Sequence, residues 1–119
     1  MQKHFLMAIL LAASEDTNVK SAHQRSDSTL EVMFKGKGKQ TVSLLFHEAG
    51  EELSCTPRIQ DAESHKLIQR GAANTGKPLR KQIAALCKVA AQPKLSGQIG
   101  DFLDSVNDYY TTGLTGFIR

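Results

Sequence analysis

Residues 28–59 run STLEVMFKGKGKQTVSLLFHEAGEELSCTPRI, and their alternation decides the fold. In a first run Leu30, Val32 and Phe34 alternate with Glu31, Met33 and Lys35. A second places Val42, Leu44 and Phe46 between Thr41, Ser43, Leu45 and His47, and a third places Leu53 and Cys55 between Glu52, Ser54 and Thr56. Apolar residues at every second position mark a strand with one buried face, because successive side chains leave a strand on opposite sides. The three runs predict a three-stranded antiparallel meander. Pairing Phe34 with Val42 sets Val32 opposite Leu44 and Leu30 opposite Phe46, around a turn centred on Gly38. A second turn at Ala49-Gly50 sets Phe46 against Leu53 and Leu44 against Cys55. A slip of one residue would send an apolar set to solvent, so the pattern opposes it.

Pro57 cannot donate a ladder hydrogen bond, which predicts that the third strand is an edge. The opposite face carries Thr29, Glu31, Thr41, Ser43, Ser54, Thr56 and Arg58 and is expected to be wet, with Met33 and Leu45 as isolated exposed apolar residues. Val42, Leu45, Phe46, Ala49 and Leu53 also fit a helical stripe. Gly50 in mid-helix would cost about 1 kcal/mol and the preceding strand would lose its partner, so the hairpin is preferred.

Before the meander, residues 14–28 are polar, with only Val19 and Ala22 interrupting, and are expected to form a connector. Residues 1–13 carry Lys3 and His4 and then an unbroken apolar run from Phe5 to Ala13. Two readings fit: a helix that covers the sheet, or a secretory signal cleaved near Ala12-Ala13-Ser14, although such signals usually have at least about 15 residues. The first reading suits a cytoplasmic protein, the second an exported one. A membrane span needs about 20 apolar residues, which this run does not supply.

After the meander the period changes. Asp61 is placed to cap a helix through Ala62, Leu67, Ile68 and Ala72, ended by Gly71 to Gly76. Pro78 suits the first turn of a second helix with the stripe Leu79, Ile83, Leu86, Cys87 and Ala90. Ser96 is placed to cap a third, with the stripe Ile99, Phe102, Leu103, Val106 and Tyr110 and a stop at Gly113. Residues 61–112 are thus expected to be helical, and Leu114 to Arg119 form a tail able to add to a sheet edge. With 119 residues, the chain suits one α+β domain whose helices cover one face of the sheet.

The formal net charge is only +3, but it is uneven. Seven cations (Lys66, Arg70, Lys77, Arg80, Lys81, Lys88 and Lys94) lie between Ser64 and Gly100 with no carboxylate among them; Asp101, Asp104 and Asp108 follow. Lys35, Lys37 and Lys39 crowd the first turn, where glycines let a backbone approach an anion. Such clusters neutralise phosphates and release counterions. Lysine also guards hairpins against edge-to-edge association, the structural alternative. Trp is absent and aromatics make up only 6%, which argues against a base-stacking platform.

Catalytic motifs are weak. Gly71-Ala72-Ala73-Asn74-Thr75-Gly76-Lys77-Pro78 nearly matches the phosphate loop G-x-x-x-x-G-K-[ST], but Pro78 replaces the Mg²⁺-binding hydroxyl. His47-Glu48-Ala49-Gly50-Glu51 resembles the zinc motif H-E-x-x-H but ends in Glu51. Neither a metal nor a cofactor is implied. Cys55 and Cys87 fall on inward faces; they are either two buried thiols or, in an exported protein, a Cys55–Cys87 bridge worth about 3 to 4 kcal/mol. No base is identifiable to activate either thiol.

If residues 3–13 are helical, the order helix-strand-strand-strand-helix resembles that of double-stranded-RNA-binding domains. Gly76-Lys77-Pro78-Leu79-Arg80-Lys81-Gln82-Ile83-Ala84-Ala85 is similar to their basic second-helix start. The family's hairpin proline and histidine have no counterpart in Lys35 to Lys39, and the extra helices do not match. The sequence therefore suggests a non-enzymatic module that contacts RNA or DNA, with Lys35, Lys37 and Lys39 at a hairpin tip and Lys77, Arg80, Lys81 and Lys88 on a helix. The alternative is an exported, disulfide-stapled module that binds another protein.

Overall fold

The alternating runs do form strands, and two further strands that the apolar pattern does not mark join them. The computed structural model describes residues 3–36, 38–50 and 52–110. In chain order the elements are α1 (Lys3–Glu15), β1 (Val19–Ser26), β2 (Thr29–Phe34), β3 (Gln40–Ala49), β4 (Glu52–Asp61), β5 (Leu67–Arg70), α2 (Gly76–Val89) and α3 (Leu95–Tyr109). The strands form one antiparallel sheet in the order β1-β2-β3-β4-β5. The α+β class stands, and the expected three strands are five.

The central register follows the alternation. Leu30 faces Phe46 and Val32 faces Leu44, as expected. In the next hairpin Phe46 instead pairs with Cys55 and Glu48 with Leu53, two residues away from the expected register. Gly50, at φ 63°, opens the turn after Ala49, and the pairing closes at Ala49 and Glu52. A two-residue slip leaves every side chain on its own face, so the alternation could not detect it.

The inner face carries Leu30, Val32, Phe34, Val42, Leu44, Phe46, Leu53, Cys55 and Ile59, all buried beneath the helices. The expected stripes of α2 and α3 meet it: Leu79, Ile83, Leu86 and Cys87 from one, Ile99, Phe102, Leu103 and Val106 from the other. Phe34 and Phe102 pack edge to face with ring centroids 5.3 Å apart. Helix α3 begins at Leu95 without a side-chain cap, one residue before the expected Ser96. The expected stop at Gly113 and the tail from Leu114 lie outside the described residues.

Helix α1 buries Phe5, Leu6, Ala8, Ile9, Ala12 and Ala13 in this same core, and Phe5 packs on Tyr110 with centroids 4.1 Å apart. Its other side exposes Met7, Leu10 and Leu11. Among the described residues no helix is long and apolar enough to cross a membrane.

Several expectations are corrected. Residues 19–26, expected as connector, form β1. This strand pairs only with β2, and only Val19 and Ala22 reach the core, so backbone bonding rather than an apolar period defines it. Residues 61–72 do not form a helix. Asp61 Oδ1 accepts from the backbone N–H groups of Glu63 and Ser64, each at 2.9 Å, as a helix cap would, but the chain turns back. His65 at φ 59° completes the reversal, and the Asp61 N–H donates to the Lys66 carbonyl at 2.9 Å to start β5. Strand β4 is therefore internal despite Pro57. The Pro57 carbonyl points outward to accept from the Gly71 N–H at 2.8 Å, so the missing donor lies on that side, beyond the end of β5. Gly71 is needed there, since an added Cβ would come within 2.9 Å of Pro57 Cγ.

The outer face is dry at its centre, although Thr29, Ser54 and Arg58 remain half-buried. Glu31 and Ser43 are wholly buried, and Met33, Thr41, Thr56 and Gln60 are buried too. Arg25 reaches Glu31 Oε1 through Nε at 3.1 Å and also through Nη2. Glu31 Oε2 accepts from Ser43 Oγ at 2.9 Å, Arg58 Nη1 at 3.2 Å and Gln60 Nε2 at 3.3 Å. A carboxylate presents about four lone-pair sites, and these donors fill them. That saturation lets a charge stay buried in mid-sheet.

Candidate functional site

The described cations among the expected contact residues, Lys35, Lys39, Lys77, Arg80, Lys81 and Lys88, divide between two ends of the molecule. Lys35 and Lys39 are exposed beside the β2–β3 turn, and Lys37 lies outside the described residues. The turn is not isolated. Gln92, in the connection between α2 and α3, donates from Nε2 to the Gln40 carbonyl at 2.9 Å. A side chain at Gly36 would run into the same Gln92. The hairpin tip is thereby placed beside the end of α2, where Lys88 occupies the last turn and is exposed.

Lys94, two residues beyond Gln92, is also exposed at this end. It belongs to the charge asymmetry but no motif marks it; only the tertiary contact at Gln92 sets its segment against the hairpin. The Ala62 N–H donates to the Lys39 carbonyl at 2.8 Å, so the β4–β5 turn joins the same end and contributes Asp61 and Glu63. The backbone N–H groups of Ser64 and Glu63, then the Ser64 hydroxyl and the charge of Lys39, hold the Asp61 carboxyl below its usual range. Asp61 is thus a fixed negative charge that tempers the lysines, chiefly Lys39.

Lys77 and Lys81 are exposed near the start of α2. At 1.5 Å per residue, Lys77 stands about 16 Å from Lys88 along the helix axis. Arg80 faces inward to α3: Nη2 meets Asp104 Oδ1 at 2.8 Å and Nη1 the Gly100 carbonyl at 3.4 Å. It joins the two helices, and an acid of the carboxylate-rich segment accounts for part of its charge. The structure therefore joins the segments that carry Lys35, Lys39, Lys88 and Lys94 at one end and leaves Lys77, Arg80 and Lys81 toward the other end of α2.

Gly71 to Pro78 follows a strand, not a helix as the sequence suggested, so it has the strand-loop-helix order of a phosphate loop. Two of its backbone amides are committed elsewhere. The N–H of Gly71 donates to Pro57 and that of Asn74 to the Cys55 carbonyl at 2.9 Å, while the Asn74 carbonyl accepts from the Cys55 N–H at 3.2 Å. These amides line the edge of β4 and do not converge on an anion. His47 and Glu48 lie in β3 on opposite faces, His47 exposed with Nδ1 3.1 Å from Thr29 Oγ1 and Glu48 buried. Alternating directions deny them the one-turn spacing of a zinc helix.

Cys55 and Cys87 are buried free thiols. Burial pushes the Cys87 thiol up to about 11 and Cys55 further upward, so both are neutral and poor nucleophiles near pH 7.

No protein-family model matches this chain, and no curated protein or solved structure matches it. The order helix, five strands, two helices also departs from the helix-three-strand-helix order noted in the sequence.

Proposed function

We propose that the protein is a non-enzymatic binding module that contacts RNA or DNA through the end where the β2–β3 hairpin meets the α2–α3 connection. The observation that carries this reading is the Gln92–Gln40 hydrogen bond, which joins the segment bearing Lys88 and Lys94 to the one bearing Lys35 and Lys39. Four exposed lysines on two separate elements form a surface rather than a string, and only a surface can follow successive phosphates. Contacts would go to the backbone, since the nearby segments 35–40 and 88–94 contain no aromatic side chain on which bases could stack. The raised thiol pKa values support a binding role over nucleophilic chemistry.

The test is titration of labelled single- and double-stranded oligonucleotides across a salt series. Affinity should fall steeply with salt, and a Lys35→Ala/Lys39→Ala variant should lower the slope of log affinity against log salt by about 1 to 2. Its folding stability should change by no more than about 0.5 kcal/mol, as expected for exposed side chains. An unchanged slope would remove the hairpin from the interface. A protein partner is the second reading, favoured by the exposed Met7, Leu10 and Leu11 on α1. Absence of oligonucleotide binding at low salt would shift the weight to it.

A further inference from the structure

We infer that the outer face of the sheet, opposite the described helices, is through Arg25, Arg58 and Arg70 a second contact surface for the phosphodiester backbone of a nucleic acid. The inference rests on the nucleic-acid reading above but uses none of its lysines. Its foundation is Glu31. One guanidinium would balance that carboxylate, and Ser43 and Gln60 already supply two neutral donors. Two guanidiniums nevertheless converge on it: Arg25 with two nitrogens and Arg58 with one. Both are held in place by a buried anchor, and neither is sealed off, since the Arg25 side chain is 50% exposed and that of Arg58 21%.

Arg70 adds the decisive charge. It pairs directly with Arg58 across β4 and β5, and directly opposed residues share a face. Like charges in that relation destabilise a sheet unless an anion lies between them. Glu31 occupies Arg58 from the far side, while Arg70 is exposed and has no carboxylate partner among the described residues. Around Glu31, three guanidiniums over one carboxylate leave two positive charges in excess, while Glu52 stands on the same face six residues away along β4. Arg25 and Arg58 meet at Glu31, and Arg70 stands one strand beyond Arg58, roughly 4.8 Å across the sheet, so the excess charge forms a row suited to adjacent phosphates of a polyanion. Guanidinium forks match phosphate oxygens, and anchoring them beforehand lowers the ordering cost of binding.

The experiment is the same oligonucleotide titration with an Arg70→Ala variant, which leaves every Glu31 contact intact and so tests charge without disturbing the fold. Affinity should fall severalfold at moderate salt and the salt slope by about one, with a thermal midpoint that does not fall and rises slightly if the Arg58–Arg70 repulsion is relieved. Lys35→Ala/Lys39→Ala, measured alongside, separates the two readings. Loss of affinity in the lysine variant but not in Arg70→Ala overturns the outer-face surface and leaves the hairpin interface standing. Loss in Arg70→Ala alone supports the outer face and removes the hairpin. No binding by the unaltered protein at low salt overturns both. Equal displacement by polyglutamate at matched charge would replace the nucleic acid with anionic peptide and overturn the assignment.

Discussion

The two faces of the sheet are both buried at their centres, by opposite means. On the inner face, Phe34, Leu44 and Phe46 are fully covered by apolar side chains from three helices, and their stability comes from area withdrawn from water. On the outer face Glu31 is equally buried, but its own hydrogen-bond donors surround it, and Arg25 and Arg58 still reach solvent. Apolar packing is tolerant in detail and large in sum. A buried charge network is stable only while complete, because each missing partner strands a charge or a dipole. The inner face is therefore expected to set how stable the protein is, and the outer face to present ordered charge.

Substitutions can break or sharpen that contrast. The largest effect should come from Phe34→Ala, which removes a fully buried ring and its contact with Phe102, costing about 3–5 kcal/mol in urea denaturation. Glu31→Ala should cost less, about 1–3 kcal/mol, because Arg25 and Arg58 can turn partly to water while Ser43 and Gln60 lose an acceptor. A reversed ranking would make the polar network the structural centre and break the comparison.

A smaller effect should appear in alkali. Both thiols have raised folded pKa values, so burial of the neutral form stabilises the fold fully below the unfolded value of about 9.0. That contribution is lost as pH rises, through about 11 for Cys87, while the unfolded chain gains thiolate. Urea midpoints should therefore decline from about pH 9 upward, less so in Cys87→Ala. A thiol reagent should find no reactive cysteine in the native protein and two after denaturation; finding none after denaturation would reveal a bridge.

Legibility in the sequence followed the same divide. The inner face was readable because Leu30, Val32 and Phe34 repeat with the strand period, and Leu79, Ile83 and Leu86 with the helical one. The outer face is not legible because a polar residue's burial depends on who surrounds it, and Glu31's partners come from positions 25, 43, 58 and 60. The segment from Asp61 was misassigned for a different reason. An aspartate accepting from N–H groups two and three residues on serves a tight turn as well as a helix start, and Leu67 and Ile68 fit either outcome. The candidate site was half legible: its lysines stand out in the chain, but their grouping depends on Gln92 reaching Gln40 across 52 residues.

By itself, the sequence determined the α+β class, the face of each central strand and the stripes of α2 and α3, because side-chain period is a local property of a segment. Tertiary structure alone decided the edge strands β1 and β5, the two-residue choice of register, the burial of Glu31 and the separation of the basic residues into distinct surfaces. Each of these depends on a neighbour distant in the chain, and no local period encodes which neighbour that will be.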